Sequence, residues 1–412
     1  MNNPKALQQE RPGALFVGPY PPPYGGISTH LLGLTAYLAE NGYRSHVLTF
    51  TSGQRKVESV QEDLSVTRIP IRPTKRAAAT LLRRTTKLPK VAGLIPHLDY
   101  HGFTSALLRS LHILEVAKRS GLHTVSIYGT HEGIVVPFLR RLHPNIRILY
   151  TVFAGPYFKP DYFTKHRHVY HLAAKEADIV LSSSHYCGGA VRRLAEDVSA
   201  EVIYYGVDLK RFHPSLERRL LVQYPLLKNK IVILFLARME PEMGILHALA
   251  IARNVNAARD DTIFVLAGAK GSATNVVQEA AETSQGRIMC CTNIPGEELP
   301  FYYASADIVM APTVDRWACM GLAIKEALAT GRPVVTTNAG GIPEAVRDGV
   351  EGFIIPTTIS GSVDEGEFAK AILDLSQDAQ LRESMGCMAR DRAVALFDAE
   401  DTNRKIIALL KG

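Results

Sequence analysis

Residues 311–344 read APTVDRWACMGLAIKEALATGRPVVTTNAGGIPE, and the fold follows from how that run is punctuated. Leu322, Ile324, Ala327 and Leu328 recur on one face at helical spacing, and Thr330-Gly331 ends the run. The segment 333–336, PVVT, is short, β-branched and apolar, the composition of a strand buried on both faces. Asn338-Ala339-Gly340-Gly341-Ile342-Pro343 then offers flexible backbone, with Pro343 suited to the first turn of another helix. A loop, a helix, a buried strand and a second loop opening a helix predict a parallel α/β unit. Two helix N-termini beside a strand's carboxyl end favour an anion, because unpaired N–H groups and the macrodipole both face it.

The same alternation extends in both directions. Near the start, 14–17 (ALFV) reads as a strand, 18–26 as a loop ending in Gly25-Gly26, 28–41 as a helix and 45–50 as a second strand. That is a βαβ unit whose helix Ser28 or Thr29 can cap. Gly25 and Gly26 would let backbone N–H groups approach a ligand closely. Further strands are expected at 124–128, 147–152, 178–183 and 202–205, with helices between them. After a short Gly- and Pro-bracketed turn at 205–214 the pattern starts afresh, with strands at 230–237, 262–267, 287–291 and 308–311 and helices after each. The C-terminal portion is helical throughout. The reading is therefore α/β, with two doubly wound Rossmann-like domains facing across a cleft. The first would span 1–205 together with a terminal crossover helix within 397–412, and the second 206–396.

Composition narrows the function. The chain has 412 residues, 46% hydrophobic and 21% charged, ordinary for a globular protein with two or three cores. Its five cysteines are scattered without metal-ligand spacing, which fits a reducing cytoplasm and an expectation of no metal. The N-terminal residues are polar, and no run approaches the ~20 apolar residues of a membrane span. Net charge is +7, and 72–90 (RPTKRAAATLLRRTTKLPK) carries seven basic residues and no acidic one. That run suits a solvated face, anionic lipid head groups at the inner face of a membrane, or an anionic acceptor. Nucleic acid is not expected, because no aromatic platform accompanies the charge. His166, His168 and His171 read as a solvated helix start, and no serine-hydrolase elbow or Walker loop is present.

The run 321–356, GLAIKEALATGRPVVTTNAGGIPEAVRDGVEGFIIP, resembles the donor-binding segment of family 4 of the retaining GT-B glycosyltransferases. The loop PPPYGG at 21–26, the crossing YGVDLKRFHP at 205–214 and EELPFYYASAD at 297–307 resemble that family too, so the likeness covers nearly the whole chain. The resemblance implies transfer of a sugar from a nucleotide-sugar donor to an acceptor, a glycan, lipid or secondary metabolite, with no separate cofactor and no metal. A surface-polysaccharide pathway would fit.

By the same resemblance Arg238 neutralises the diphosphate and Glu326 holds the ribose. Amides at Met320, Gly321 and Leu322 and the loop of Gly340 and Gly341 bind phosphate. Backbone around Ile294 frames the base, and Gly25 and Gly26 admit phosphate and acceptor.

Three positions depart from the family pattern. Met243 stands where the family has a Lys, and Lys270 or Arg316 is the candidate replacement cation. Ala318, eight positions before Glu326, stands where a first Glu contacts the donor sugar, with Asp315 an alternative carboxylate. Phe153 stands where the family often has a His, and His131, at a neighbouring strand end, is the candidate imidazole. These departures leave two rival readings: a degenerate, non-catalytic binding partner, or an enzyme repurposed for an unusual donor or bond type.

Overall fold

The computed structural model describes residues 12–22, 25–51, 56–61, 63–70, 89–129, 131–153, 160–315, 318–358 and 361–411. Arg316 and nearly all of the basic run 72–90 lie outside them. The chain forms two compact units, residues 1–204 with 402–412, and residues 205–401.

The first unit is built on strands Gly13–Val17 (β1), Arg44–Thr51 (β2), Lys56–Gln61 (β3), Leu64–Pro70 (β4), Thr124–Tyr128 (β5), Arg147–Val152 (β6), Ile179–Ser182 (β7) and Glu201–Val202 (β8). They form one sheet in the order β3-β4-β2-β1-β5-β6-β7-β8, parallel except for the antiparallel β3–β4 pair. Val17, Leu48, Ile127 and Ile148 are wholly buried in it, as near-continuous apolar runs in a doubly covered sheet should be. The β3–β4 hairpin escaped the sequence reading because its strands mix charged and polar residues at the sheet edge. The first helix, Gly26–Glu40, begins earlier than expected. Gly25 is its N-cap, and the Ser28 hydroxyl donates back to the Gly25 carbonyl at 3.0 Å instead of capping. The last helix, Ala399–Lys411, joins this unit from Thr402 onward, where the Thr402 hydroxyl donates to the Tyr204 carbonyl at 2.8 Å.

The second unit holds Ile231–Leu236 (β9), Thr262–Gly268 (β10), Ile288–Thr292 (β11), Ile308–Ala311 (β12), Val334–Thr337 (β13) and Gly352–Ile355 (β14). All are parallel, in the order β11-β10-β9-β12-β13-β14. The chain runs outward from β9 on one side and from β12 on the other, so the switch in direction falls between those two central strands. Ligands of open α/β sheets bind outside the carboxyl ends at such a switch. One expectation fails here. Residues after the Gly340-Gly341 loop form a three-residue 3₁₀ turn, Ile342–Glu344, not an α-helix, so of the two helix starts expected beside β13 only Leu322–Ala329 is α-helical. Among the described residues no helix is long and apolar enough to cross a membrane.

At the switch the loops after β9 and β12 touch backbone to backbone. Gly244 has φ +84, and a β-carbon there would sit 2.0 Å from the Pro312 carbonyl oxygen. The sequence requires glycine for both reasons. Gly244→Ala is expected to cost about 2 kcal/mol by urea unfolding, strain and overpacking combined. An unchanged unfolding midpoint would show that the two loops do not meet this closely.

Candidate functional site

Arg238, Met243, Lys270, Ile294, Asp315, Ala318, Met320, Gly321, Gly340 and Gly341 lie on loops leaving the carboxyl edge of the β9–β14 sheet, and Leu322 and Glu326 on the helix that follows β12. A seam of hydrogen bonds joins those loops in sheet order. The Asn293 amide after β11 donates to the Gly268 carbonyl at 2.8 Å, and the Lys270 amide to Asn293 Oδ1 at 3.4 Å. The Met239 amide after β9 donates to the Ala269 carbonyl after β10 at 3.0 Å. Thr313 Oγ1 after β12 donates to the Glu242 carbonyl at 3.1 Å, and Thr337 Oγ1 at the end of β13 to the Thr313 carbonyl at 2.7 Å. The Gly341 amide donates to the Ala318 carbonyl at 3.0 Å, and the Thr357 amide after β14 to Asn338 Oδ1 at 2.9 Å. Gly340, at φ +57, lies so close to Ala318 that a β-carbon would stand 2.0 Å from its carbonyl oxygen.

Arg238 and Lys270 occupy adjacent loops of this seam, and both are exposed. Neither cationic head is hydrogen-bonded to a described residue. Met243 is different: its side chain packs against the second unit's hydrophobic core. The position where the resemblance implies a lysine thus carries a half-buried apolar side chain, and the adjacent loop carries an ammonium. Gly321 opens the Leu322–Ala329 helix with φ +76 and no side-chain cap, which leaves its first N–H groups free of side-chain acceptors. Met320 beside it is buried, and Ile294 is half-buried in the loop after β11.

Glu326 is buried on that helix at 7% exposure and accepts a 2.8 Å hydrogen bond from the Tyr303 hydroxyl. Burial raises its carboxyl to about 7, opposed by the Tyr303 bond and by the charges of Arg211 and Lys325. Lys325, also buried, donates to the Tyr205 carbonyl at 2.6 Å, and burial lowers its ammonium to about 8. Arg211 donates to the Gly296 carbonyl in the loop that also carries Ile294. Sequence reasoning missed Tyr303, Lys325 and Arg211, although the YY of 302–303 and the KE of 325–326 both stood inside quoted motifs. Asp307 is committed elsewhere, to Arg218 at 2.8 Å and the Val232 amide at 2.8 Å.

In the first unit, Gly25 and Gly26 are exposed at the start of the first helix, beyond β1. Neither has positive φ, and a β-carbon would meet nothing within 4 Å at Gly26 and only Ser28 Oγ, at 3.8 Å, at Gly25. The fold itself therefore does not demand glycine at this pair. His131 is exposed at the start of a 3₁₀ turn, His131–Val135, just past β5, and Phe153 directly follows β6. Those strands are neighbours, with Tyr128 opposite Thr151. Glu132, half-buried beside His131, is raised by burial against the pull of Arg109, 3.8 Å away. The histidine cluster is not a solvated helix start: the helix begins at Pro160, His166 is buried, and the His168 ring lies tilted against that of His97, centroids 3.8 Å apart. Among the described residues no group of three or more His, Cys, Asp or Glu could hold a metal ion.

Residues 24–211 match the family described as Glycosyltransferase Family 4, and residues 230–378 the family described as Glycosyl transferases group 1. The chain is 25% identical to a D-inositol 3-phosphate glycosyltransferase of Paenarthrobacter aurescens, covering 90% of this chain and 88% of that one. It is 24% identical to a GDP-mannose-dependent alpha-(1-6)-phosphatidylinositol monomannoside mannosyltransferase of Mycolicibacterium smegmatis, covering 97% and 98%. Among solved structures, sucrose-phosphate synthase from Thermosynechococcus elongatus superposes with a TM-score of 0.75 at 19% identity, covering 97% of this chain and 98% of that one. Anabaena HepE in complex with UDP superposes with a TM-score of 0.73 at 18% identity, covering 97% and 99%.

The buried carboxyl gives a pH test. Its folded value of about 7 exceeds the ordinary 4.5, so its contribution to stability is complete below the unfolded value and is lost as pH rises through about 7. Glu326→Gln keeps an acceptor for Tyr303 and removes the titration. The variant is expected to gain on the order of 2 kcal/mol relative to wild type between about pH 5 and about pH 8, by urea unfolding. An equal difference at both pH values would mean that Glu326 titrates as an ordinary carboxylate.

Proposed function

The chain belongs to the family 4 glycosyltransferases and has the GT-B fold, and from that premise we propose how its residues divide the work. The reaction is transfer of a sugar, with retention and without a metal, from a nucleoside-diphosphate sugar to a phosphate-bearing acceptor. The observation that carries this reading is the loop seam, which holds Arg238, Lys270, the uncapped helix start and Glu326 at one edge of one sheet.

In retaining transfer the diphosphate leaves as the anomeric carbon becomes oxocarbenium-like, so the barrier falls most where preorganised positive charge meets the leaving oxygens. Arg238 and Lys270 supply that charge, and the amides of residues 320–322 and of Gly340 and Gly341 add uncharged donors. Glu326 accepts hydrogen bonds from the ribose, with Tyr303 fixing its orientation. Backbone near Ile294 borders the base. In the first unit, Gly25 and Gly26 leave backbone bare for the donor phosphates and the acceptor, and His131 supplies the imidazole near the transferred sugar.

Two observations bear on the substrates. Both long-matching relatives carry names with a phosphorylated inositol, and the basic run 72–90 suits an anionic acceptor or the anionic inner face of a membrane. Ala318 has no side-chain acceptor, which fits a donor sugar that lacks the hydroxyl usually held there, or a carboxylate supplied by Asp315.

Titration calorimetry against a panel of nucleoside diphosphates tests the donor site. Wild type is expected to bind one base class in the micromolar range, on the order of −8 kcal/mol, and Arg238→Ala or Glu326→Ala to weaken it about tenfold or more. Lys270→Ala is expected to lower kcat by about a hundred- to a thousandfold. Absence of binding across the panel would overturn the donor assignment, and full activity of Lys270→Ala would remove Lys270 from the leaving-group site.

A further inference from the structure

Tyr20 is followed in sequence by Pro21, Pro22 and Pro23. Proline has no N–H, so this stretch has lost three consecutive donors and cannot tie itself down by backbone turns. The carbonyls of Tyr20, Pro21 and Pro22 must find partners elsewhere. One side chain answers all three. Arg68 Nη1 donates to the Tyr20 carbonyl at 3.1 Å and to the Pro22 carbonyl at 3.5 Å, while Nη2 donates to the Pro21 carbonyl at 2.5 Å.

Arg68 reaches the loop from β4 and is itself held by the hairpin. Its cross-strand neighbour is Lys56 on β3, a like charge that would repel it. Glu58 stands between them, 2.9 Å from Lys56 Nζ and 3.6 Å from Arg68 Nε. Lys56 first, and then Arg68, hold the Glu58 carboxylate below the usual glutamate range. The loop has two further anchors, the Gly18 amide on the Leu48 carbonyl at 3.1 Å and the Tyr20 hydroxyl against Thr35 Oγ1 at 3.5 Å. Downstream of these anchors the chain enters Gly25 and Gly26.

We propose that Arg68 is a positioning residue, whose guanidinium fork fixes the proline loop so that Gly25 and Gly26 keep their place against phosphate and acceptor. The inference rests on the functional reading above for what the glycines contact. It assigns a purpose to β3, whose Val57 and Val60 are exposed, while β4 beside it buries Leu64, Val66 and Ile69. A planar fork suits three carbonyls of one loop because its donors are spread over two nitrogens and held rigid, whereas an ammonium offers three donors from one point on a flexible stem. Misplacement of a binding loop by about 1 Å costs up to about a hundredfold in rate.

The test compares wild type, Arg68→Ala and Arg68→Lys by kinetics, nucleoside-diphosphate titration and amide hydrogen exchange on the full chain. Arg68→Ala is expected to lower kcat/KM for the acceptor by about ten- to a hundredfold, with nucleoside-diphosphate affinity falling by less, because most of the groups assigned to that ligand belong to the second unit. Exchange at the Thr29 amide, which donates to the Gly25 carbonyl at 2.8 Å, should rise about tenfold or more while β4 stays protected. Arg68→Lys should recover only part of the rate. Unchanged kinetics in Arg68→Ala overturns the proposal, and so does a rate loss accompanied by deprotection of β4 and β2, which marks a structural residue. If wild type transfers no sugar, the functional reading fails by itself. The exchange comparison then decides alone, and equal exchange at Thr29 in both proteins sinks the positioning role.

Discussion

Five loops at the carboxyl edge of the second sheet are held to one another by main chain and short hydroxyls, with no room for a β-carbon between the closest of them. Gly244 lies against the Pro312 carbonyl and Gly340 against the Ala318 carbonyl. This contact lets a binding surface be assembled from segments far apart in sequence. Side-chain bridges would tolerate an ångström of drift. Backbone against backbone does not, because neither partner has a rotamer to spend. The donor groups proposed above therefore inherit their spacing from the sheet, whose strands fix where each loop begins.

Behind that edge sits a low-dielectric pocket of opposed ionisable groups. Glu326 and Lys325 are consecutive on one helix and both buried, yet each has its own polar partner, the Tyr303 hydroxyl and the Tyr205 carbonyl. Burial moves both toward the neutral form, the carboxyl up and the ammonium down. A buried carboxyl with an assigned donor is costly to keep, and a fold that needed only stability would fill the site with an apolar side chain. Lys325 also ties the helix to Tyr205, at the beginning of the unit, so one helix serves the site and the start of its own domain.

The sheets were legible in the sequence wherever strands are buried on both faces. The segments KIVILFLA and TIFVLA at 230–237 and 262–267 match β9 and β10 closely, because apolar runs between Gly, Asp and Asn leave little choice. The β3–β4 hairpin was not legible, since Lys56, Glu58 and Arg68 break up the apolar pattern of two strands of which only β4 buries apolar side chains. The expected helix after Pro343 was a misreading of the same kind: Pro and Gly signal a helix start, but only three residues wind before the chain turns. For the site, residues carried by the resemblance were found at the sheet edge. Tyr303 was not, because a tyrosine inside a helical motif reads as core until the carboxylate it meets is known.

The three departures from the family pattern share a physical form. Met243 packs half-buried against the core, and the ammonium of Lys270 stands on the loop of the adjacent strand, tied to the first loop through Met239 and Ala269. Phe153 follows β6, and His131 follows β5, its neighbour in the sheet. Ala318 gives its carbonyl to Gly341, and it lies in the same loop as Asp315, whose carbonyl accepts the Ala318 amide at 3.0 Å. A parallel sheet makes such exchanges cheap. Adjacent strands stand about 4.8 Å apart, within the reach of a lysine or histidine side chain, so a charge can change its strand of origin and still act at nearly the same point. A site whose chemistry had been abandoned has no reason to keep a candidate cation, imidazole and carboxylate one strand or a few residues from each vacated position. Under the function proposed above, that pattern suits a retuned transferase, with the retuning at the donor sugar and its leaving group and the helix of Glu326 left as it was.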